Sequence, residues 1–137
     1  MKIKLFNENT PLPKKSHLPD AGADLFLPES FTIKPLETLT IGLGLGVSIP
    51  EGFCGIIIPR SSIAEKGLII QTSAIDCDYT GEIHLIITNC SNNTYTFDKG
   101  DRVCSLICVS ILNFYLEVVD ELPKTERGNK GLGSTGK

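Results

Sequence analysis

Thr38-Leu39-Thr40-Ile41-Gly42-Leu43-Gly44-Leu45-Gly46-Val47-Ser48-Ile49 places an apolar residue at every second position without a fault. A period of two is the signature of a strand with one buried face, because successive side chains leave a pleated backbone on opposite sides. The glycines on the other face mark either the close approach of a second backbone or a ligand, or simple bends and bulges, and bends are the expectation. Pro50-Glu51-Gly52 closes the strand with a turn, and Phe53 to Ile58 opens another. Further along, Ile83, Leu85 and Ile87 alternate with Glu82, His84 and Thr88, and Val103 to Leu112 is an almost unbroken apolar, β-rich run. Only Ser62 to Gly67 offers a helical turn or two. Thirteen glycines and eight prolines punctuate these short strands, which describes an all-β sandwich or barrel.

The chain has 137 residues, enough for one core and too few for two. Its formal charge of -3 gives no bulk attraction to nucleic acid or anionic lipid, and no local basic patch replaces it. No segment approaches the roughly 20 apolar residues of a membrane span, and Met1 to Phe6 lacks a signal-peptide core, so a soluble, intracellular protein is expected. Five cysteines form no Cys-x-x-Cys pair and the two histidines stand at no metal-ligand spacing, which favours reduced cysteines packing as small apolar residues. Val103 to Leu112 is apolar on both faces, more than a small domain readily covers, which makes an oligomer plausible. The expected boundaries are a β-domain over 1–123 and a charged, glycine-rich, flexible arm over 124–137.

Five segments carry polar chemistry that a plain β-domain does not need. Ile75-Asp76-Cys77-Asp78-Tyr79-Thr80-Gly81-Glu82-Ile83 sets three carboxylates and a tyrosine around a turn between two apolar runs, where uncompensated charge is costly. Arg60-Ser61-Ser62 offers a guanidinium and hydroxyls to an anion, or forms an ordinary serine turn. Asp24, after Ala21-Gly22-Ala23, reads as a turn acid or a site residue, and Arg102 as a salt-bridge partner of a nearby acid. Gly131-Leu132-Gly133-Ser134-Thr135-Gly136-Lys137 begins like a P-loop but has neither the Ser or Thr after its lysine nor a preceding strand. Its glycine amides, Ser134, Thr135 and the upstream Arg127 are nevertheless the parts of an arm that could wrap a polyphosphate.

In this order and spacing, from Asp20 to Gly136, the five segments together resemble the trimeric dUTP pyrophosphatase (dUTPase) family. The resemblance implies a jelly-roll-like β-sandwich of the β-clip kind, assembled as a homotrimer with sites shared between subunits. It implies hydrolysis of dUTP to dUMP and pyrophosphate, with Asp76 as the general base that activates water at the α-phosphorus. Tyr79 would lie under the deoxyribose and exclude a ribose 2′-hydroxyl, and a hairpin over Thr72 to Glu82, including Ser73 and Ile75, would read the uracil edge. Arg60, Ser61 and Ser62 match phosphate-binding positions, Asp24 and Arg102 organising ones, and Ser105 a contact of the fourth motif. Arg127, Leu132, Gly133, Ser134 and Thr135 match the closing arm. Mg2+ would be held by the substrate phosphates and water rather than by protein ligands.

Three residues depart from the family pattern: Leu132 stands where phenylalanine is usual, Ser105 replaces a glutamine, and Ser73 replaces a glycine. They bear on closure and affinity more than on the reaction. Two alternatives share the architecture. A dCTP deaminase would need a glutamate in His84-Leu85-Ile86-Ile87-Thr88-Asn89, which has none. A binding or regulatory module with a weakened site is the other.

Overall fold

The computed structural model describes residues 1–131. Its strands, in chain order, are β1 (Lys2–Leu5), β2 (Gly22–Phe26), β3 (Phe31–Ile33), β4 (Thr38–Gly42), β5 (Leu45–Ser48) and β6 (Phe53–Pro59). A single helical turn, α1 (Ser61–Ala64), precedes β7 (Leu68–Ile70), β8 (Ala74–Ile75), β9 (His84–Asn89), β10 (Tyr95–Phe97) and β11 (Arg102–Ser110). All pairings between these strands are antiparallel. A four-stranded sheet runs in the order β2-β11-β6-β8, a three-stranded one β4-β9-β7, and two pairs, β1-β5 and β10-β3, complete the layers. The fold is the expected all-β sandwich.

Alternation along each strand delivers one core. Leu25 of β2, Ile57 of β6, and Val103 and Leu106 of β11 meet Leu68 and Ile70 of β7 and Leu85 and Ile87 of β9 in a single buried cluster. The outer faces are polar where they can pair: Thr38 and Thr88 stand opposite each other in the ladder, their hydroxyls 2.9 Å apart, a cross-strand contact of the kind that adds a few tenths of a kcal/mol, about 0.2–1. The core thiol of Cys104 is pushed up to about 12, by burial first and then by the negative charge of Asp24. It packs as an apolar group.

The uninterrupted alternation from Leu39 to Ile49 is two strands, not one. Gly44 has φ +68, in the left-handed region that favours glycine. The break hands β4 to β9 and β5 to β1. Leu43 N donates to Ile83 O at 2.9 Å and Ile83 N to Leu45 O at 2.8 Å, so Ile83 alone faces Leu43-Gly44-Leu45, and two extra residues form a bulge around Gly44. The alternation hides this because two extra residues, unlike one, leave the apolar parity intact. The glycines also do more than bend the chain. A Cβ on Gly46 would stand 2.6 Å from Gly81 O, and one on Gly42 2.5 Å from Glu82 Oε1, so the Asp76–Glu82 turn is seated directly on this stretch.

Two further expectations are corrected. The strands that flank the turn, β8 and β9, do not form a hairpin ladder: β8 pairs with β6, while β9 lies in the other sheet between β4 and β7. The segment therefore crosses between sheets. The last strand stops at Ser110, short of Leu112, and the stretch from Ile111 to Pro123 contains no strand. Its Leu112, Phe114, Tyr115, Leu116, Val118 and Leu122 are exposed.

Candidate functional site

Two groups of polar residues stand at opposite edges of the four-stranded sheet. The first gathers around Asp24 on β2. Ser105 on β11 lies directly across from it, and its hydroxyl donates to Asp24 Oδ1 at 2.8 Å. Arg102 Nη1 donates to Oδ2 at 3.1 Å, and Arg60 Nε lies 3.5 Å from Oδ1. Residues 102 and 105 differ by an odd number and would face opposite ways on a regular strand. The β2–β11 register shifts between Arg102 and Cys104, and the extra residue turns both side chains toward Asp24. Arg60 reaches the same carboxylate from the residue that follows β6 and precedes α1. One carboxylate thus faces two guanidiniums, leaving an excess of positive charge that suits a phosphate. Ser61 and Ser62, exposed on the first residues of α1, adjoin it.

The second group surrounds the turn after β8. A cavity of about 210 Å³ is lined by Ile57, Ser73, Ala74, Ile75, Asp76, Tyr79, Glu82, Ile83, His84 and Ile86. Asp76 N-terminates a turn closed by Tyr79 N donating to Asp76 O at 3.1 Å. The Tyr79 ring folds back over Gly81, where a Cβ would stand 2.5 Å from its hydroxyl, and that hydroxyl donates to Glu82 O at 2.8 Å. His84 Nδ1 lies 3.0 Å from the same carbonyl, so the ring donates through its Nδ1–H. Among the described residues the Asp76 carboxylate takes part in no salt bridge, whereas Asp24 takes part in two. Asp78 is equally exposed but does not line the cavity. Of the three acids in the turn, Asp76 alone presents an uncommitted carboxylate to the cavity.

The candidates therefore divide. Ser73, Ile75, Asp76 and Tyr79 come together at one cavity, and Asp24, Arg60, Arg102 and Ser105 at the other edge. Arg127 joins neither: it is exposed and its Nε donates to Lys130 O at 3.0 Å. Leu132, Gly133, Ser134 and Thr135 lie outside the described residues. In the sequence Glu82 reads only as a share of the turn's charge, and Ile57 and His84 carry no sign of a place at the cavity. The alternation at Ile83, Leu85 and Ile87 could have placed His84 on the opposite, outward face, but nothing local signalled that Glu82 would reach Gly44.

Comparison with known proteins bears directly on this arrangement. The dUTPase family model matches residues 8–136, nearly the whole chain. The chain belongs to the dUTPase family. Deoxyuridine 5′-triphosphate nucleotidohydrolase of Finegoldia magna is 41% identical over 142 aligned residues, which cover 99% of each chain. The enzyme of the same name from Mus musculus is 36% identical over 96% of this chain and 82% of its own. Among solved structures, the Staphylococcus bacteriophage 80alpha dUTPase with dUPNHPP superposes with a TM-score of 0.93 at 32% identity, covering 99% of this chain and 98% of that one. In this family setting, the cavity beside Asp76 and the arginine pair around Asp24 are the two halves to be explained.

Proposed function

We propose that this chain hydrolyses dUTP to dUMP and pyrophosphate, with Asp76 as the general base. The observation that carries the reading is the contrast between the two carboxylates: Asp24 is held by Arg102, Ser105 and Arg60, while Asp76 is left unengaged at the wall of a cavity. A carboxylate so placed can take a proton from a water attacking the α-phosphorus. The Tyr79 ring, held by its bond to Glu82 O, lines the same cavity and would lie under the deoxyribose, excluding a ribose 2′-hydroxyl. Ser73 and Ile75 line the same wall, beside the edge strand β8, where the uracil edge would be read.

Magnesium fits this donor set. Mg2+ keeps most of its waters and would be held through the substrate phosphates rather than by protein ligands, which leaves the Asp76 carboxylate free to act as the base. When bound it would neutralise charge on the triphosphate. The chain's own share is to orient the water through Asp76 and to bind phosphates through Arg60, Ser61, Ser62 and the positive excess that Arg60 and Arg102 leave around Asp24. Arg127, Leu132, Gly133, Ser134 and Thr135 belong to the proposed closing arm.

The site is completed by neighbouring copies in a homotrimer. Asp24 on β2 and Asp76 beyond β8 are separated by three strand spacings, roughly 14 Å, and by some four residues along the strands, roughly 13 Å. One chain therefore does not place both groups on one phosphate. The unpaired apolar stretch from Leu112 to Leu122 supports a neighbour as well. Light scattering should give three times the 14.9 kDa chain mass; a monomer that turns over dUTP would overturn the shared site. The soluble, intracellular reading is supported by buried Cys54 and Cys104, both free thiols. Pyrophosphate release from dUTP but not UTP, lost in Asp76→Asn, tests the function itself.

A further inference from the structure

We infer that Glu82 is a positioning residue for this reaction: its carboxylate pins the Asp76–Tyr79 turn to the body of the sandwich. The bulge at Gly44 leaves that residue's amide without a strand partner, because the ladder bonds on either side pass from Leu43 N to Ile83 O and from Ile83 N to Leu45 O. Glu82 Oε1 takes the free amide, accepting from Gly44 N at 2.7 Å in a part-buried position. A bond to a carboxylate is stronger than one between neutral groups, and partial burial shields it from water.

The local geometry is built around this reach. Gly42 carries no Cβ where one would stand 2.5 Å from Glu82 Oε1. The carboxylate thus enters a second depression, lined by Phe6, Thr40, Gly42 and Gly44, while Glu82 also lines the Asp76 cavity. The main-chain carbonyl of the same residue accepts from Tyr79 Oη at 2.8 Å and from the His84 ring at 3.0 Å. Glu82 therefore faces the sandwich with its side chain and the tyrosine with its backbone. The other end of the turn is held by β8, which pairs with β6 over only two residues. Such a short ladder does little to fix a turn by itself, so the Glu82 end sets where Tyr79 and Asp76 lie.

The catalytic consequence rests on the dUTPase reading of Asp76 and Tyr79, and the test separates the two. In the full-length protein, hydrogen exchange at the Gly44 amide reports the tie without reference to activity. Steady-state kinetics on dUTP and UTP report its effect on the site. Glu82→Ala is expected to speed Gly44 exchange about tenfold or more, to lower kcat/KM for dUTP by about 10- to 100-fold, and to narrow the preference for dUTP over UTP at least about fivefold, since sub-ångström misplacement is enough for losses of this order. Glu82→Gln keeps an acceptor oxygen and should restore most of both. Gly42→Ala displaces the carboxylate while leaving it present, and should reproduce the Glu82→Ala pattern even where Glu82→Ala itself does not fold. Unchanged Gly44 exchange in Glu82→Ala and Gly42→Ala would overturn the tie. Faster exchange with intact kcat/KM and intact dUTP preference would overturn its positioning role. A wild-type protein inactive on dUTP would instead sink the functional reading, with the exchange result still deciding the tie.

Discussion

Gly46→Ala puts a methyl group where the turn and the sandwich meet, and its effect can be worked from distances. The new Cβ would lie 2.6 Å from Gly81 O, 3.0 Å from a ring carbon of Phe6 and 3.3 Å from Thr80 O. A comfortable C···O contact begins near about 3.3 Å, so the backbone at Gly81 has to retreat by roughly 0.7 Å. Overpacking of this kind costs about 1–3 kcal/mol, which for a chain of this size lowers Tm by roughly 4–12 °C. The same retreat carries Tyr79 and Asp76 with it, and a drop of about 10- to 100-fold in kcat/KM for dUTP is expected. Gly52→Ala is the control. Its Cβ meets nothing within 4 Å, but φ is +81, so it should cost about 1–2 kcal/mol through backbone strain alone and leave kcat/KM unchanged. Thermal melts followed by pyrophosphate release, at a temperature where both variants are folded, make the comparison. A Gly46→Ala enzyme as active as Gly52→Ala would refute the claim that the turn rests on the glycine face.

Asp24→Ala should lower stability by at most about 2 kcal/mol, because both arginines are partly exposed, yet raise KM for dUTP about tenfold or more by freeing their guanidiniums, as substrate titrations would show. Cys104 stays neutral up to about 12 in the folded protein but ionises from its ordinary value of 9.0 when unfolded. Its contribution is thus complete below pH 9 and declines as pH rises toward 12, by up to about 1.4 kcal/mol per pH unit. Urea unfolding of wild type against Cys104→Ala across pH 8–11 should show the slope disappear in the variant. Deleting residues 124–137 should leave Tm of the sandwich unchanged and reduce kcat/KM for dUTP by about 100-fold or more, measured by calorimetry and turnover.

The sandwich was legible wherever parity and burial coincide. Ile83, Leu85 and Ile87 announced β9, and Phe53 to Ile58 announced β6, because one face of each is sealed in the core. Parity could not reveal the break at Gly44, since an alternating row stays alternating through a bulge that adds two residues. Nor could it show that β8 and β9 belong to different sheets, because a turn between two apolar runs looks the same whether the runs pair or part. For the site, the residue types marked Asp76, Tyr79, Arg60 and Arg102, but their division into two distant groups is a matter of strand order. Ser105 illustrates the limit: a serine in place of a longer polar residue reads as a loss, and only the β2–β11 register shows it bonded to Asp24. Glu82 reads as one more turn acid until the Gly44 amide is found in its reach.

Asp76 is proposed as the one acid committed to the reaction, and Tyr79 as the gate beside it. The most direct test is pyrophosphate release by the purified protein with magnesium, from dUTP and UTP in parallel, for wild type and Asp76→Asn. This assignment of roles requires release from dUTP and not from UTP, and a loss of at least about 1,000-fold in kcat for Asp76→Asn with dUTP binding retained. Comparable turnover of UTP, or an Asp76→Asn enzyme that still turns over dUTP, would contradict it.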